Sequence, residues 1–351
     1  MTAPIRVALL GYGLAGAVFH APLIASVEGL ELAAIVTRDD ERRSRARHEH
    51  PAADLLESPE QVWERADRFD LVVVAAPNRV HVPLAHAAIE AGLAVVVDKP
   101  LAATSDEAGA LLREAGQGGV MLTVFQNRRW DGDFLTVLGL LEADALGEVE
   151  RFESRFERWR PELSGGWRES GEPQDAGGLL YDLGSHLVDQ ALCLFGPAAL
   201  VYAELERRRP GAQTDDDTFV ALTHESGVRS HLWMSAVAAQ PGPRFRVTGR
   251  SGAYVKYGLD VQEELLQAGR HPGDPRWGRE PEDCWGLLGA GEQMRPVPTV
   301  PGAYQRFYEG VVLALRKSAL PPVDPEAVLR GLEVLDAARL SAREQRVVLL
   351  P

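Results

Sequence analysis

The stretch that decides the fold of this chain is Ile5-Arg6-Val7-Ala8-Leu9-Leu10-Gly11-Tyr12-Gly13-Leu14-Ala15-Gly16. Its first six residues form a short apolar run typical of a buried strand, and a helical pattern over 17–24 follows the glycines. A glycine-rich turn in this setting predicts a dinucleotide site, because the free N–H groups of a helix start bind phosphates. Gly11 permits the tight turn, Gly13 lets a pyrophosphate approach the backbone, and Gly16 lets the helix pack on the strand.

Strands and helices alternate from residue 5 to residue 125. Further buried strands are predicted at 30–36, 71–76, 95–98 and 120–125, and helices at 80–92 and 105–115. Strict alternation of this kind predicts a parallel, doubly wound sheet with helices on both faces. We therefore expect residues 1–125 to form an α/β dinucleotide-binding domain of the Rossmann type.

The strand at 30–36 ends where the adenosine ribose of a bound dinucleotide would be recognised. A cofactor without a 2′-phosphate usually meets an acidic side chain there, about 20 residues past the glycines. Here Thr37 and Arg38 come first, and Asp39 and Asp40 arrive later. A hydroxyl and a guanidinium suit a phosphate better, so the sequence favours NADP over NAD. The arginines that follow are predicted to lie on a solvated helix face, and they are Arg42, Arg43, Arg45 and Arg47.

A lysine ends the strand Val95-Val96-Val97-Asp98-Lys99-Pro100. Pro100 fixes its own φ and biases Lys99 toward an extended conformation, which aims the ammonium at the carboxyl edge of the sheet. Open α/β sheets bind ligands at that edge. Only three of the 37 basic residues are lysine. Since lysine can release its proton and arginine cannot, we expect Lys99 to have a chemical role; a lysine that merely solvates the strand end is the alternative.

The pattern changes beyond Phe125. A polar and aromatic hinge over 125–131 leads into a helix, and 148–158 alternates between apolar and charged residues. Further strands are predicted at 199–206, 217–223, 228–235, 244–249 and 253–257, and two helices around Pro321-Pro322. Such a series predicts an α+β domain over 126–351 with a mostly antiparallel, open-faced sheet. No pattern orders residues 258–300.

One helix in this second domain carries a candidate proton-transfer group. Offsets of four and three residues along a helix place Asp182, His186 and Asp189 on one face. A histidine with carboxylates in reach to fix its tautomer is a general-base arrangement. Alternatively, Asp182 caps the helix and His186 is a core residue.

Together these motifs resemble the glucose-fructose oxidoreductase and inositol dehydrogenase family, written Gfo/Idh/MocA. The resemblance rests on the glycine turn, on Asp98-Lys99-Pro100 and on the Asp182/His186 pair, and it covers the whole chain. The family more often has Glu where this chain has Asp98. The Phe-His-Ala-Pro segment at 19–22, the 125–131 hinge and the 181–190 helix are similar to the subgroup that includes scyllo-inositol dehydrogenases.

The resemblance implies an NAD(P)-dependent dehydrogenase acting on CH–OH groups of a cyclic polyol or sugar. It implies that Lys99 binds the reacting oxygen beside the nicotinamide, that Asp182 orients it or the substrate, and that His186 exchanges the hydroxyl proton. Expected cofactor-binding residues are Gly11, Gly13, Leu14, Ala15, Gly16, Thr37, Arg38, Pro77, Asn78, His81, Asp98, Lys99 and Gln126. The alternative for His81 is that it only caps the helix that follows. Candidate substrate-binding residues are Lys99, Arg128, Trp167, Arg168, Tyr181, Asp182 and His186.

Two rival functions stay open. One keeps the fold but uses NAD with another sugar or a trans-dihydrodiol; the other is a redox sensor that binds NADPH without turnover. Family members commonly pair through the sheet of the second domain, so a homodimer or homotetramer is expected. The charged face of 148–158 serves such an interface or meets water.

Composition excludes other classes of protein. Hydrophobic and charged fractions of 45% and 25% are ordinary for a soluble globular protein. A net charge of −14 repels phosphates and argues against nucleic acid. No apolar run is long enough to span a bilayer, and the strand at Ile5 leaves no room for a signal peptide. Cys193 and Cys284 have no metal-ligand spacing and fit a reducing compartment, so we expect a cytoplasmic protein without a metal.

Overall fold

A computed structural model describes residues 3–317 and 319–350 and divides the chain into two compact units. The first unit contains the chain up to Asn127 together with Gln262–Trp277 and Ala303–Leu329. The second contains Arg128–Val261, Gly278–Gly302 and the chain from Arg330. Two segments from the C-terminal half of the chain thus belong to the first unit.

The first unit is built on a six-stranded sheet. Its strands are β1 (Ile5–Leu10), β2 (Leu30–Val36), β3 (Asp54–Leu56), β4 (Leu71–Val74), β5 (Ala94–Asp98) and β6 (Leu122–Phe125). They lie in the order β3-β2-β1-β4-β5-β6, and every neighbouring pair is parallel. This is the strand order of a doubly wound dinucleotide-binding domain, so the predicted fold class is confirmed. The sequence does not reveal β3, because three residues are too few to show a pattern.

Ten α-helices accompany the strands in the described part of the chain. They are α1 (Ala21–Ser26), α2 (Asp40–Glu49), α3 (Glu60–Trp63), α4 (His81–Glu90), α5 (Ser105–Gly118), α6 (Gly132–Glu142), α7 (Ser185–Phe195), α8 (Gln262–Gln267), α9 (Gln305–Lys317) and α10 (Pro325–Glu344). Turns of π-helix over Ala15–His20 and Leu180–Gly184 precede α1 and α7. None of the helices in the described ranges is both long and apolar enough to cross a membrane.

The second unit is built on a nine-stranded sheet. Its strands are β7 (Val149–Glu157), β8 (Ala198–Glu206), β9 (Asp217–His224), β10 (Arg229–Ser235), β11 (Phe245–Gly249), β12 (Gly252–Lys256), β13 (Gly286–Ala290), β14 (Gln293–Val297) and β15 (Val348–Leu349). The order is β14-β13-β12-β11-β7-β10-β9-β8-β15, and β7 and β10 form the one parallel pair among them. The mostly antiparallel sheet is therefore confirmed.

Strand β7 shows how the sheet separates a packed face from an open one. Phe152 and Phe156 are fully buried, and the ring of Phe152 lies 5.3 Å from that of Phe195 in α7. On the opposite face the Arg155 guanidinium lies 3.9 Å from the centre of the Trp233 ring. The buried face holds α7, which carries the candidate proton-transfer residues, against the sheet.

Candidate active site

In the glycine turn after β1, a side chain at Gly11 or Gly16 would overlap neighbouring backbone atoms. Gly11 has φ +103°, and a Cβ there would lie 2.3 Å from the Ala75 carbonyl oxygen. A Cβ on Gly16 would meet the carbonyl oxygen of Gly11 at 2.1 Å. The side of Gly13 is open: among the described residues, leaving out its chain neighbours, Arg42 Nη1 is the one atom within 4 Å of its Cβ position, at 3.7 Å. The turn thus offers bare backbone N–H groups at the start of a helix, as a pyrophosphate requires.

The residues at the end of β2 and the start of α2 include one arginine, Arg42, whose position differs from the sequence-based expectation. Arg38 donates from Nε to the Glu57 carbonyl oxygen at 3.2 Å. Asp39 caps α2, since its Oδ1 accepts from the Arg42 backbone N–H at 2.9 Å. Capping accounts for the acidic residue that the sequence shows just after the strand. Arg42, which the sequence predicts on a solvated face, instead brings its guanidinium beside Gly13 of the phosphate turn.

Lys99 lies where the sequence predicts it, at the carboxyl end of β5. It follows Asp98, whose Oδ1 accepts from the Lys99 backbone N–H at 2.8 Å, and its peptide bond to Pro100 is cis. Because β1, β4, β5 and β6 are parallel neighbours, their carboxyl ends form one edge. Lys99 therefore shares this edge with the glycine turn, with Pro77 and Asn78 after β4, and with Gln126 after β6.

Two buried histidines, His20 and His81, lie close to this edge. His20 is fully buried, with Nδ1 2.6 Å from the Tyr308 hydroxyl and Nε2 4.0 Å from Asp98 Oδ2. Burial lowers the pKa of His20 to about 4, against the opposing effect of Asp98. His81, expected from the resemblance near the nicotinamide ribose, is 1% exposed. Its Nδ1 lies 2.7 Å from the Pro100 carbonyl oxygen and its Nε2 2.8 Å from that of Ala76.

The residues of the first unit fit a nicotinamide dinucleotide. The glycine turn fits a pyrophosphate, since Cβ atoms at Gly11 and Gly16 would overlap the backbone that forms it. Gln126 is 5% exposed, and its Oε1 has no hydrogen-bond partner within the described ranges. An unpaired buried acceptor is costly, so it points to a donor from a bound molecule. We infer that this edge can hold a dinucleotide.

In the second unit, α7 and the π-turn before it are held by an acidic residue from the loop before β9. Asp215 Oδ2 accepts from the Leu180 backbone N–H at 2.8 Å and from the Thr218 hydroxyl at 2.6 Å. Burial raises the pKa of Asp215. A Cβ on Gly178 would lie 2.0 Å from Asp215 Oδ1, so only glycine allows this approach. Asp215 therefore accepts the hydrogen bond at the start of this helical segment. This is the capping role that the sequence left open for Asp182.

The three residues that helical spacing groups together have different surroundings. Asp182 is half-buried within the π-turn, and its Oδ1 lies 3.5 Å from Arg168 Nε. His186 is 5% exposed in the first turn of α7. Asp189 accepts two hydrogen bonds from Arg129, at 2.6 and 2.8 Å. The carboxylate of Asp189 is thus engaged by an arginine, and the pairing of Arg168 with Asp182 joins two of the predicted substrate-binding residues.

The other predicted substrate-binding residues of this unit are mostly buried. Arg128 is 7% exposed, with Nη1 3.4 Å from Asp131 Oδ2 and its guanidinium 4.8 Å from the centre of the Phe156 ring. Tyr181 is 5% exposed, and its hydroxyl accepts from Arg339 Nη1 at 3.0 Å. Burial raises the pKa of Tyr181. The side chain of Trp167 lies outside what the structure describes.

Sequence reasoning missed several residues that shape these sites. Arg42, Arg129 and Asp215 make their contacts with partners elsewhere in the chain, so no local pattern marks them. His20 was noticed only as part of the Phe-His-Ala-Pro segment. The Gly177-Gly178 pair before the helix was the one available signal, since two adjacent glycines often indicate a close approach of other atoms to the backbone.

Comparison with known proteins gives two family matches that divide the chain between them. Residues 5–126 match the model described as "Oxidoreductase family, NAD-binding Rossmann fold". Residues 139–350 match the model described as "Oxidoreductase family, C-terminal alpha/beta domain". The two models therefore account for nearly the whole chain.

Individual relatives match along their full length. The chain is 35% identical to scyllo-inositol 2-dehydrogenase (NADP(+)) IolW of Bacillus subtilis, over 99% of this chain and 96% of the relative. It is 40% identical to the uncharacterized oxidoreductase YdgJ of Escherichia coli, over the whole of both. Among solved structures, putative oxidoreductase yvaA from Bacillus subtilis superposes with a TM-score of 0.94 at 34% identity, covering 100% of this chain and 99% of that one.

Proposed function

Because the chain belongs to the Gfo/Idh/MocA family of NAD(P)-dependent oxidoreductases, we propose that it transfers a hydride between NADP and a cyclic polyol of the inositol class. The single observation that carries the proposal is Lys99, which directly follows β5 on the edge that the glycine turn shares. The full-length similarity to an enzyme named scyllo-inositol 2-dehydrogenase supports the choice of substrate.

Each of the three proposed catalytic residues has a distinct task. When bound, the nicotinamide supplies the carbon that accepts or donates the hydride. Lys99 binds the reacting oxygen through its ammonium and stabilises the charge that builds there. His186 takes the hydroxyl proton, as an imidazole can in the neutral range. Asp182, held beside Arg168, orients the substrate.

Substitution of Lys99 tests this function. We expect Lys99→Ala to abolish nearly all turnover of a panel of inositols and aldoses, followed by NADPH absorbance, while the dissociation constant for NADPH changes little. Lys317→Ala is the matched control, because Lys317 is an exposed lysine in α9. Turnover that survives in Lys99→Ala would show that the mechanism is wrong. A wild-type protein that binds NADPH but turns over no member of the panel would support the sensor alternative.

We also propose that the preference for NADP comes from Arg42 together with Thr37 and Arg38. Arg42 is the side chain next to Gly13, where the backbone of the turn is open. The described residues place no carboxylate within ion-pair distance of its guanidinium, whereas the Arg45 guanidinium lies 2.8 Å from Glu49. A guanidinium can pair with a phosphate through two parallel hydrogen bonds.

Binding of cofactor fragments measures this preference without any turnover. We expect Arg42→Gln to weaken 2′,5′-ADP by about ten- to a hundredfold, since a hydrogen bond to a charged group contributes about 1.5 to 3 kcal/mol, and to leave 5′-AMP nearly unchanged. Arg47→Gln, at an exposed position of α2, serves as the control. If wild-type protein bound the two fragments equally, NADP would be the wrong assignment.

We propose that two copies of the chain pair through the open face of the nine-stranded sheet. Phe219, His231 and Trp233 form a ring cluster on that face, with centroids 5.1 to 6.0 Å apart. Aromatic clusters backed by arginine are typical of interface cores. Light scattering after gel filtration tests this: wild type should be a dimer or tetramer and Trp233→Glu a monomer, and a monomeric wild type would refute it.

We propose that the protein is cytoplasmic. Cys193 and Cys284 are free thiols rather than a disulfide, which is in keeping with a reducing compartment. Fractionation of cells that express the tagged chain tests this, and recovery outside the cytoplasmic fraction would contradict it.

A further inference from the structure

His81 has an arrangement that a neutral histidine cannot satisfy. Its Nδ1 lies 2.7 Å from the Pro100 carbonyl oxygen, and its Nε2 lies 2.8 Å from the Ala76 carbonyl oxygen. A backbone carbonyl only accepts hydrogen bonds, so each of the two ring nitrogens must carry a proton to bond there. A neutral imidazole has one N–H, and its other nitrogen would face a carbonyl lone pair at hydrogen-bond distance.

We propose that His81 is a buried imidazolium in the folded protein. Burying a charge is costly unless its hydrogen bonds are made. Here both N–H groups are used, and hydrogen bonds from a charged donor are shorter and about twice as strong as neutral ones. With 1% of the residue exposed, water cannot replace either carbonyl.

Two other buried histidines, His224 and His20, do not share this pattern. His224 is 2% exposed, with Nδ1 2.8 Å from the Gly196 carbonyl oxygen and Nε2 2.8 Å from the Ser230 hydroxyl. His20 likewise has the Tyr308 hydroxyl at 2.6 Å from Nδ1. A hydroxyl can donate as well as accept, so a neutral ring satisfies both sites of His224. At His20 the hydroxyl can take either role toward Nδ1, and Nε2 has no hydrogen-bond partner in the described ranges. Burial lowers the pKa of His20 and of His224, as expected for neutral rings.

The charged and titratable groups near His81 include one carboxylate. Asp98 and Lys99 come directly before Pro100, which accepts one of the two bonds. His20 lies close enough for an electrostatic interaction with His81, and Arg79 is an exposed residue of the turn before α4. Asp98 Oδ1 accepts from the Lys99 backbone N–H, and its Oδ2 lies 4.0 Å from His20 Nε2.

The imidazolium connects the strand ends that form the ligand edge. Ala76 follows β4, and Pro100 follows Lys99 at the end of β5, so the two hydrogen bonds hold the Lys99–Pro100 turn against the neighbouring strand end. His81 is thus a positioning residue for Lys99. This consequence rests on the proposed function, whereas the protonation state does not.

The proposal is tested by counting the protons on the two ring nitrogens of His81 in wild-type, cofactor-free protein. We expect long-range ¹H–¹⁵N spectra of ¹⁵N-histidine-labelled protein at pH 7 to show two protonated nitrogens for His81 and one for His224. His81→Gln assigns the signals by their loss. If that variant fails to fold, neutron diffraction of wild-type crystals shows both protons directly. An unprotonated His81 nitrogen at pH 7 would overturn the proposal and leave the oxidoreductase function untouched.

The pH dependence of folding gives an independent measurement. An unfolded histidine loses its second proton near pH 6.5. Above that pH, the ratio of the wild-type folding constant to that of His81→Gln should fall by up to tenfold per pH unit. For His224→Gln the corresponding ratio should fall in the opposite direction, as pH drops below 6.5. A His81 ratio that does not change between pH 6.5 and 9 would also overturn the proposal.

Turnover tests the positioning role. We expect His81→Gln to reduce kcat at least tenfold, since displacement of a catalytic group by about 1 Å can cost a hundredfold, while the dissociation constant for NADPH changes less than threefold. His86→Gln, an exposed histidine on the same helix, should retain wild-type kcat. An unchanged kcat in a folded His81→Gln would remove the positioning role.

Discussion

Replacement of Gly11 by alanine should damage both stability and cofactor binding, and the structure gives the size of each effect. The new Cβ would lie 2.3 Å from the Ala75 carbonyl oxygen and 2.9 Å from its carbon. Backbone and side chain must separate by about 0.7 Å to reach 3.0 Å, below which such contacts essentially never occur. Overpacking of this kind costs about 1 to 3 kcal/mol. The left-handed φ of +103° adds about 1 to 2 kcal/mol for any residue with a Cβ.

We therefore expect Gly11→Ala to lower the free energy of unfolding by about 2 to 5 kcal/mol. The turn that receives the pyrophosphate must shift by the better part of an ångström, so we expect NADPH affinity to fall by about a hundredfold. Urea unfolding of the cofactor-free protein gives the first quantity, and calorimetric titration with NADPH gives the second.

Two glycines elsewhere in the first unit separate the cost of the left-handed backbone from the cost of the overlap with Ala75. Gly92 has φ +73°, and no atom of another described residue, its chain neighbours aside, lies within 4 Å of its Cβ position, so Gly92→Ala should show the backbone cost alone and normal NADPH binding. Gly116, within α5, is equally open, and Gly116→Ala should stabilise the protein by about 0.5 to 1 kcal/mol. Wild-type NADPH affinity in Gly11→Ala would refute the assignment of this turn to the cofactor.

Two further predictions concern stability. The buried, neutral His20 has a pKa of about 4, below that of an unfolded histidine near 6.5, so its contribution is complete above pH 6.5 and is lost as pH falls toward 4, by about 3 kcal/mol in total. Urea unfolding across this range should show a weaker acid dependence in His20→Gln, and an identical dependence would contradict the burial effect. Asp189→Asn removes one partner of the buried pair with Arg129 and should destabilise by about 3 to 5 kcal/mol, whereas Asp70→Asn, in the exposed pair with Arg6, should cost no more than about 1 kcal/mol. Equal losses in the two variants would show that burial does not set the cost.

Local patterns were enough to predict five of the six strands of the first unit and strands β7 to β12 of the second, but not β3 or the elements within 258–300. Strands and helices of the first unit are short-range features, so the run from Ile5 to Gly16 and the strand ending at Lys99 could be recognised from neighbouring residues alone. The same holds for the alternation in β7, where Phe152, Ser154 and Phe156 are all fully buried. Glu153 departs from it: at 7% exposed, it is covered although it lies on the other face.

Regular helical spacing was the weakest basis for predicting a site. Offsets of four and three residues assume a continuous α-helix, but Leu180–Gly184 is a π-turn that includes Asp182. A π-turn holds more residues than an α-turn, so the angular positions of side chains before and after it shift. The spacing also gives no information on Arg129, which binds Asp189 from 60 positions away in the sequence.

The sequence by itself determined the fold class, the glycine turn and the placement of Lys99 at a strand end, because each depends on residues that are adjacent in the chain. Only the tertiary structure decided that Arg42 lies beside Gly13, that Asp215 holds the start of the helix bearing His186, and that His81 is enclosed by the Ala76 and Pro100 carbonyls. Hydrogen bonds and ion pairs form with whichever groups the fold brings within about 3 Å, and that proximity is set by the packing of whole elements.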